Sequence, residues 1–250
     1  MKISTWNVNS VNARIEHLEK FIKKDQSDIY LLQELKTIED GFPKEVIKNA
    51  GYYSYVNGQK AWNGVAILSK EKLEITNTSI PTYDDPNARF IETEIQLKKI
   101  KKNIKLINIY LPNGNPIETE KFDYKIKWMK KFNSYIQGLK NKNIPIIISG
   151  DFNVIPTDDD VYSPENFKND ACTHPLTREQ YRILINMGFT DLVKHFVEGK
   201  TNWTFWGYRG GGWQKGNGLR IDHFLTTANV TDLVNNVEVN REPRGWEKAS

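Results

Sequence analysis

Five short apolar stretches of this chain run into residues that can hold protons, metals or phosphates. Ile3–Val8 leads into Asn7-Val8-Asn9, and the two-residue period of a strand puts Asn7 and Asn9 on one face. The run from Asp28 to Gln33 stops at Glu34. Leu106–Leu111 carries Tyr110 and is followed by Asn113. Ile144–Ser149 passes through Gly150 to Asp151 and Asn153, which strand spacing again places on one side. Gly218–Phe224 sets Asp222 and Arg220 opposite Leu219 and Ile221. Carboxylates and amides are costly at the end of an apolar strand unless they are paired or bind something. Each ending alone has a structural explanation. Glu34 could cap the turn after it, Asp151 could form an Asx turn behind Gly150, and Asp222 could pair with Arg220. Side by side, the five strands would build a pocket of oxygen donors with no cysteine and little histidine. Such donors suit Mg²⁺ or Mn²⁺ rather than zinc. A Mg²⁺ held by one or two carboxylates commonly binds substrate phosphate too, so the chemistry indicated is metal-assisted phosphoester chemistry.

The elements that must position these residues are short and alternate. Ile15, Leu18, Phe21 and Ile22 repeat at helical spacing, as do Phe122, Ile126, Met129, Phe132 and Ile136. Strand-like runs cover Asp28–Gln33, Gly64–Ser69, Ile104–Leu111, Ile144–Ser149 and Leu219–Thr226. Segments 64–69 with 73–80, and 89–97 with 104–111, are expected as hairpins. Strands outnumber helices, which predicts an α+β layered fold with helices packed outside sheets. No repeat, low-complexity tract or Pro/Gly/Ser-rich linker divides the chain, so one domain over residues 1–250 is expected. Its 38% hydrophobic and 12% aromatic content suffices for a sizeable core.

Charge narrows the reading little. Thirty-five Lys+Arg against 31 Asp+Glu leaves +4. The Lys98–Lys102 run reads as a solvated hairpin turn. Lys121, Lys125, Lys127, Lys130 and Lys131 read as a solvated helix surface. The single cysteine, Cys172, excludes a disulfide framework and a multi-cysteine metal site. No apolar signal segment opens the chain, and no stretch approaches the roughly 18 apolar residues of a membrane span. A cytoplasmic protein, monomeric by default, is expected.

The blocks Ile3–Asn9, Leu32-Gln33-Glu34, Asn108–Asn113, Ser149–Asn153 and Gly218–Asp222, with Thr204–Arg209, occur in the order of the exonuclease III family. The sequence resembles that family from residue 3 to Ser250. Its members include the Mg²⁺-dependent abasic-site endonucleases of DNA base-excision repair, within the endonuclease/exonuclease/phosphatase superfamily. The resemblance implies a four-layered α/β sandwich of two mainly antiparallel sheets flanked by helices. It implies Mg²⁺, with Mn²⁺ as a substitute, held by Glu34 and Asn7 with Asp151 and Asn153. Asp151 would orient or deprotonate the attacking water, Asn153 would hold the scissile phosphate, and Tyr110 would contact it with Asn113 close by. Asp222 matches an aspartate that supports a catalytic histidine network. Asn9 stands where relatives often carry a carboxylate, and Arg89, with Asn87, would meet the DNA backbone. Phe205, Trp206 and Leu219 match an apolar wall for a flipped-out abasic sugar, while Arg209, Trp213 and Lys215 would grip the duplex.

The activity so implied is incision 5′ to abasic sites in double-stranded DNA, with 3′→5′ exonuclease and 3′-phosphatase action at 3′ ends. Neither a membrane nor an obligate protein partner is implied. Relatives end in Ser-Asp-His and a short last strand, whereas this sequence stops at Ala249-Ser250. The expectation from that departure is strongly reduced catalysis and an unpaired sheet edge. His223 is a poor substitute, because Asp222 takes the site-facing side. Two other functions stand beside the first. One is a catalytically silent DNA-binding member. The other is a phosphodiesterase or phosphatase of the same superfamily, against which Phe205-Trp206 and Gly218–Asp222 argue.

Overall fold

A computed structural model describes residues 1–97, 103–199, 202–207 and 209–249, the side chain of Arg209 excepted. The fold is mixed α/β, with two large sheets flanked by helices. The chain divides into two compact units. The first comprises Met1–Tyr110, Ile146–Asp151 and Trp246–Ser250, and the second Leu111–Pro145 and Phe152–Gly245.

In the first unit the chain forms β1 (Ile3–Asn7), α1 (Ile15–Asp25), β2 (Ile29–Gln33), α2 (Lys44–Asn49), β3 (Tyr53–Asn57) and β4 (Val65–Ser69). It continues through β5 (Ile75–Asn77), β6 (Phe90–Ile95) and β7 (Ile104–Tyr110) and regains the unit at β8 (Ile146–Asp151). β1 runs parallel to β2, and both β2 and β3 lie antiparallel to β4. Every residue of β4 is buried, as befits a strand with a neighbour on each side. The hairpin expected between 64–69 and 73–80 does not form, because both edges of β4 are taken. β5 pairs instead with β6 in the second sheet. The other expected hairpin is the antiparallel β6–β7 pair, and its Lys98–Lys102 turn lies outside the described residues.

Helix α1 places Leu18, Phe21 and Ile22 in the core beside Trp6, Tyr30 and Leu32, each stabilising by roughly 2 kcal/mol. Gln26, at φ 54°, ends the helix by returning its N–H to the Ile22 carbonyl. The two sheets face each other, β1 and β2 against β8, and β4 against β7. β8 runs parallel to β7, with Tyr110 beside Asp151 and Ile109 beside Gly150. A Cβ at Gly150 would come within 2.0 Å of the Ile109 carbonyl oxygen. Only glycine lets these strands approach closely enough to keep Tyr110 and Asp151 abreast.

The second unit holds α3 (Glu120–Asn141), α4 (Pro175–Asn186), β9 (Phe189–Asp191), α5 (Leu192–Phe196), β10 (Phe205–Trp206), β11 (Gly218–Leu219), β12 (Asp222–Thr227) and α6 (Ala228–Thr231). α3 buries the stripe Phe122, Ile126, Met129, Phe132 and Ile136. Lys121, Lys127, Lys130 and Lys131 are exposed, but Lys125 is fully buried and not part of a solvated surface. It stands three residues after Phe122 and four before Met129, on the apolar stripe itself.

The run expected over Leu219–Thr226 breaks at Arg220-Ile221 into β11 and β12. Two-residue alternation fails there, so Arg220 and Asp222 do not share a partner. Arg220 places Nε 2.8 Å from Asp160 and Nη1 2.8 Å from Asp191, whereas Asp222 accepts from Thr204 Oγ1. Leu219 and Ile221 do stay together, in a cluster with Ile155, Val161 and Cys172.

His223 joins the arginine network. Its Nε2–H donates to the Val154 carbonyl at 2.9 Å, and Nδ1 accepts from Arg220 Nη1 at 2.8 Å. Burial and the adjacent guanidinium push its pKa down to about 4. The ring is therefore neutral when folded, while an unfolded histidine titrates near 6.5. Stability from this site is complete above about pH 6.5 and is lost as pH falls toward 4, to a total of roughly 3 kcal/mol. Urea unfolding at pH 7, 6 and 5 should show that loss, and His223→Gln should flatten it. An unchanged slope in the variant would remove His223 as its source.

Candidate active site

In the first unit, four of the residues singled out by sequence converge at the ends of β1, β2, β7 and β8. Glu34 Oε1 accepts from Tyr110 OH at 2.6 Å and from Asn7 Nδ2 at 3.1 Å. The same amide nitrogen donates to Asp151 Oδ2 at 2.9 Å. One amide thus holds two carboxylates together. The register of β7 on β8 puts Tyr110 across from Asp151, and that of β1 on β2 puts Asn7 across from Gln33, one residue before Glu34.

Asn9 does not continue β1. It sits at φ 45°, and its N–H returns to Asn7 Oδ1 at 3.0 Å. Its own Oδ1 accepts from Lys36 Nζ. Lys36 also lies 3.1 Å from Glu34 Oε2. Arg89 stacks its guanidinium 5.0 Å from the centre of the Tyr110 ring and donates to the Tyr110 carbonyl at 3.1 Å. Asn87 instead belongs to a neighbouring loop network, accepting from Asn63 and Gln59.

These contacts fix where protons sit. Burial would raise the Glu34 carboxyl, but hydrogen bonds from Tyr110 and Asn7 and the Lys36 ammonium together hold it below the usual range. Burial, then the charges of Glu34 and Asp151, push the Tyr110 phenol far upward. Near neutrality the carboxylate is ionised and the phenol keeps its proton.

The second unit carries the remaining residues in two groups. Asn113 Nδ2 donates to Asn153 Oδ1 at 3.2 Å, and Asn153 Nδ2 donates to the Leu111 carbonyl at 2.9 Å. β8 ends at Asp151 and Asn153 lies at φ 48°, so strand alternation does not extend to it. The other group surrounds Asp222. Thr204 Oγ1 donates to its carboxylate and accepts from its main-chain N–H. Phe205 packs with Leu219 against the Ile221 cluster. Trp206, its neighbour, faces the other way and is 3% exposed, edge-on to Trp213 at 4.9 Å with Arg241 above it. Trp213 is also packed on Gly245, and Lys215 is exposed. Tyr208 and the Arg209 side chain lie outside the described residues.

Against known proteins, the model of the endonuclease/exonuclease/phosphatase family matches residues 4–244. Exodeoxyribonuclease III of Haemophilus influenzae is 33% identical, covering 100% of this chain and 96% of that one. The chain belongs to this family, in its exonuclease III branch. A 3′ phosphatase from Neisseria, solved with a product DNA hairpin, is similar at TM-score 0.93 and 31% identity, over 100% of this chain and 95% of the other. An AP endonuclease from Archaeoglobus fulgidus has the same TM-score, identity and coverage.

Within the family frame, two residues of these clusters escaped the strand-end reading. Lys36 pairs with Glu34 only because Glu34 and Lys36 both adopt positive φ, 54° and 57°, which no periodicity announces. Lys125 donates to the main-chain carbonyls of Asn113 and Asn153. Its place on an apolar helical stripe was the available signal.

Among the described residues no three His, Cys, Asp or Glu side chains gather as a metal group. The donors of the first unit nevertheless fit a hard divalent cation, which takes one or two carboxylates and completes its shell with water or phosphate. Glu34 is ionised and Asp151 is tied to the same amide; Asn7, expected as a ligand, instead gives its amide oxygen to the Asn9 N–H and faces the carboxylates with its nitrogen. Millimolar Mg²⁺ or Mn²⁺ should therefore raise the thermal midpoint, by about 3–6 °C at tenfold the dissociation constant. Glu34→Gln, which keeps an acceptor for Tyr110, should abolish the rise. No shift in the unaltered protein would refute the site.

Proposed function

We propose that this DNA-repair nuclease of the exonuclease III type cleaves the phosphodiester 5′ to abasic sites in duplex DNA, with Mg²⁺ as cofactor. We further assign it 3′→5′ exonuclease and 3′-phosphatase activity. The observation that carries the reading is the cluster of Glu34, Asn7, Tyr110 and Asp151 in a chain of this family. Glu34 and Asp151 are the residues to hold the metal, which when bound supplies positive charge against the phosphate, while Asn7 holds the two carboxylates together through its Nδ2. The Asp151 carboxylate orients the attacking water and accepts its proton. Asn153 is two residues further along the chain, within about 7 Å on chain length alone. Its amide is the donor for the phosphate oxygens.

Tyr110 holds its phenol proton on Glu34 in the free site and is the residue to redirect it to the phosphate, with Arg89 steadying its ring. Asn113 follows three residues later and backs Asn153. Asp222 lies beside Asn153 through the bond from Phe152 N–H to the Ile221 carbonyl, 2.9 Å. It acts as a fixed negative group held by Thr204. Phe205 and Leu219 form the apolar face for an extruded sugar lacking its base. Trp206 supports that face from behind, and Trp213 packs on Trp206. Arg209, Lys215 and Asn9 complete the contacts to the nucleic acid.

A labelled duplex with one synthetic abasic site tests the proposal. Nicking should require Mg²⁺, stop in EDTA, and fall about 10³-fold in Asp151→Asn and Glu34→Gln under single turnover. A duplex with a 3′-phosphate end should be dephosphorylated by the same pocket. Undiminished nicking by Asp151→Asn would overturn the assignment of the base.

A further inference from the structure

Lys125 is the only lysine among the described residues that is fully buried. Lysine is rarely buried unless its ammonium is well met, because the charge must leave water. Here Nζ donates to the Asn153 carbonyl at 2.6 Å and to the Asn113 carbonyl at 3.0 Å. The side chains of those two asparagines bond each other at 3.2 Å. One ammonium therefore spans the backbones of both phosphate-site residues, while their amides close the ring on the other side.

The stem of the lysine is packed as tightly as its head. Gly114 lies at φ 85°, and a Cβ there would come 2.6 Å from Lys125 Cδ and 3.3 Å from Ala171 Cβ. The loop after Asn113 thus lies directly on the lysine. Asn153 is held at φ 48°, in the left-handed region. Such a conformation costs on the order of 1 kcal/mol or more and persists only where its surroundings impose it. Asn115 fixes the far side of the loop, donating to Asp170 and accepting from Ala171 N–H. The bonds of Asn153 to Asn113 and to the Leu111 carbonyl are neutral amide contacts. Lys125 adds a charged one.

We infer that Lys125 is a positioning residue for phosphate hydrolysis. It touches no substrate but sets the backbone of Asn113 and Asn153, so that their amides meet the phosphate as charge develops. The inference rests on the assignment of Asn153 to the phosphate.

The test is a double-mutant cycle on the abasic duplex, with Lys125→Met and Asn153→Ala alone and combined. Cleavage is read in single turnover, and duplex affinity by titration in EDTA. If Lys125 acts through Asn153, Lys125→Met should slow cleavage by about 10²-fold, leave affinity within about threefold, and add little in the Asn153→Ala background. Lys125→Gln, which can still donate to one carbonyl, should recover part of the rate. It also serves as the test variant should Lys125→Met not fold, as judged by urea unfolding. Equal slowing by the lysine change in both backgrounds would overturn the inference, as would loss confined to affinity or stability. If Asn153→Ala alone cleaves normally, it is the phosphate assignment that fails.

Discussion

A buried amide pair sets the geometry of the first unit. Gln33 Nε2 donates to Asn108 Oδ1 at 2.7 Å, and Asn108 Nδ2 donates to the carbonyls of Leu32 and Ala66 at 3.0 and 2.9 Å. Both side chains are fully buried where the two sheets face each other. An apolar pair would tolerate sliding of one sheet over the other. An amide pair does not, because a shift leaves buried donors and acceptors unmet at roughly 1–3 kcal/mol each. Glu34 follows Gln33 directly, and Tyr110 follows Asn108 by two residues, so fixing the amides fixes the distance from carboxylate to phenol. The strand registers carry the constraint on to Asn7 and Asp151.

The chain must then leave its strands sharply, and it does so in conformations that side chains resist. Asn9, Ser10, Glu34 and Lys36 all have positive φ. Asparagine accepts that region readily, but glutamate and lysine do not. Main-chain bonds impose it: Ser10 N–H to Glu34 O, Val11 N–H to Leu35 O, Leu35 N–H to Gly64 O and Lys36 N–H to Asn63 O. The end of β2 is gripped from both flanks. The result turns Glu34 and Lys36 toward each other, a contact that extended backbone would have denied.

What could be read from sequence follows from what periodicity reports. Apolar spacing tells which face of an element is buried, so α1, α3 and the strand ends bearing Glu34, Tyr110 and Asp151 were legible. Periodicity does not report the neighbour. Hence 64–69 and 73–80 look like a hairpin although β4 and β5 join different sheets. It also assumes that a strand continues, and alternation across Gly218–Phe224 fails where Arg220 turns to Asp160 and Asp191. Lys125 shows a different blindness. Residue type suggested solvent, helical position suggested the core, and position prevailed because two main-chain carbonyls satisfy the ammonium.

The chemistry of the first cluster depends on keeping two neighbouring groups in opposite protonation states. Glu34 and Tyr110 are 2.6 Å apart and share one proton. The same hydrogen bond that lowers the carboxyl raises the phenol, and burial pushes the phenol further. Separated affinities of this kind assign roles to adjacent groups. The carboxylate is left as an anionic acceptor and the phenol as a donor. Lys36 reinforces the split by facing the carboxylate oxygen that Tyr110 does not use. The second unit follows the same logic at Arg220, where Asp160 is pushed down to about 2 despite burial. There every charge is answered by another side chain. At Glu34 and Asp151 a neutral amide bridges two carboxylates, with Tyr110 and Lys36 also on Glu34, whereas at Arg220 a cation bridges the two.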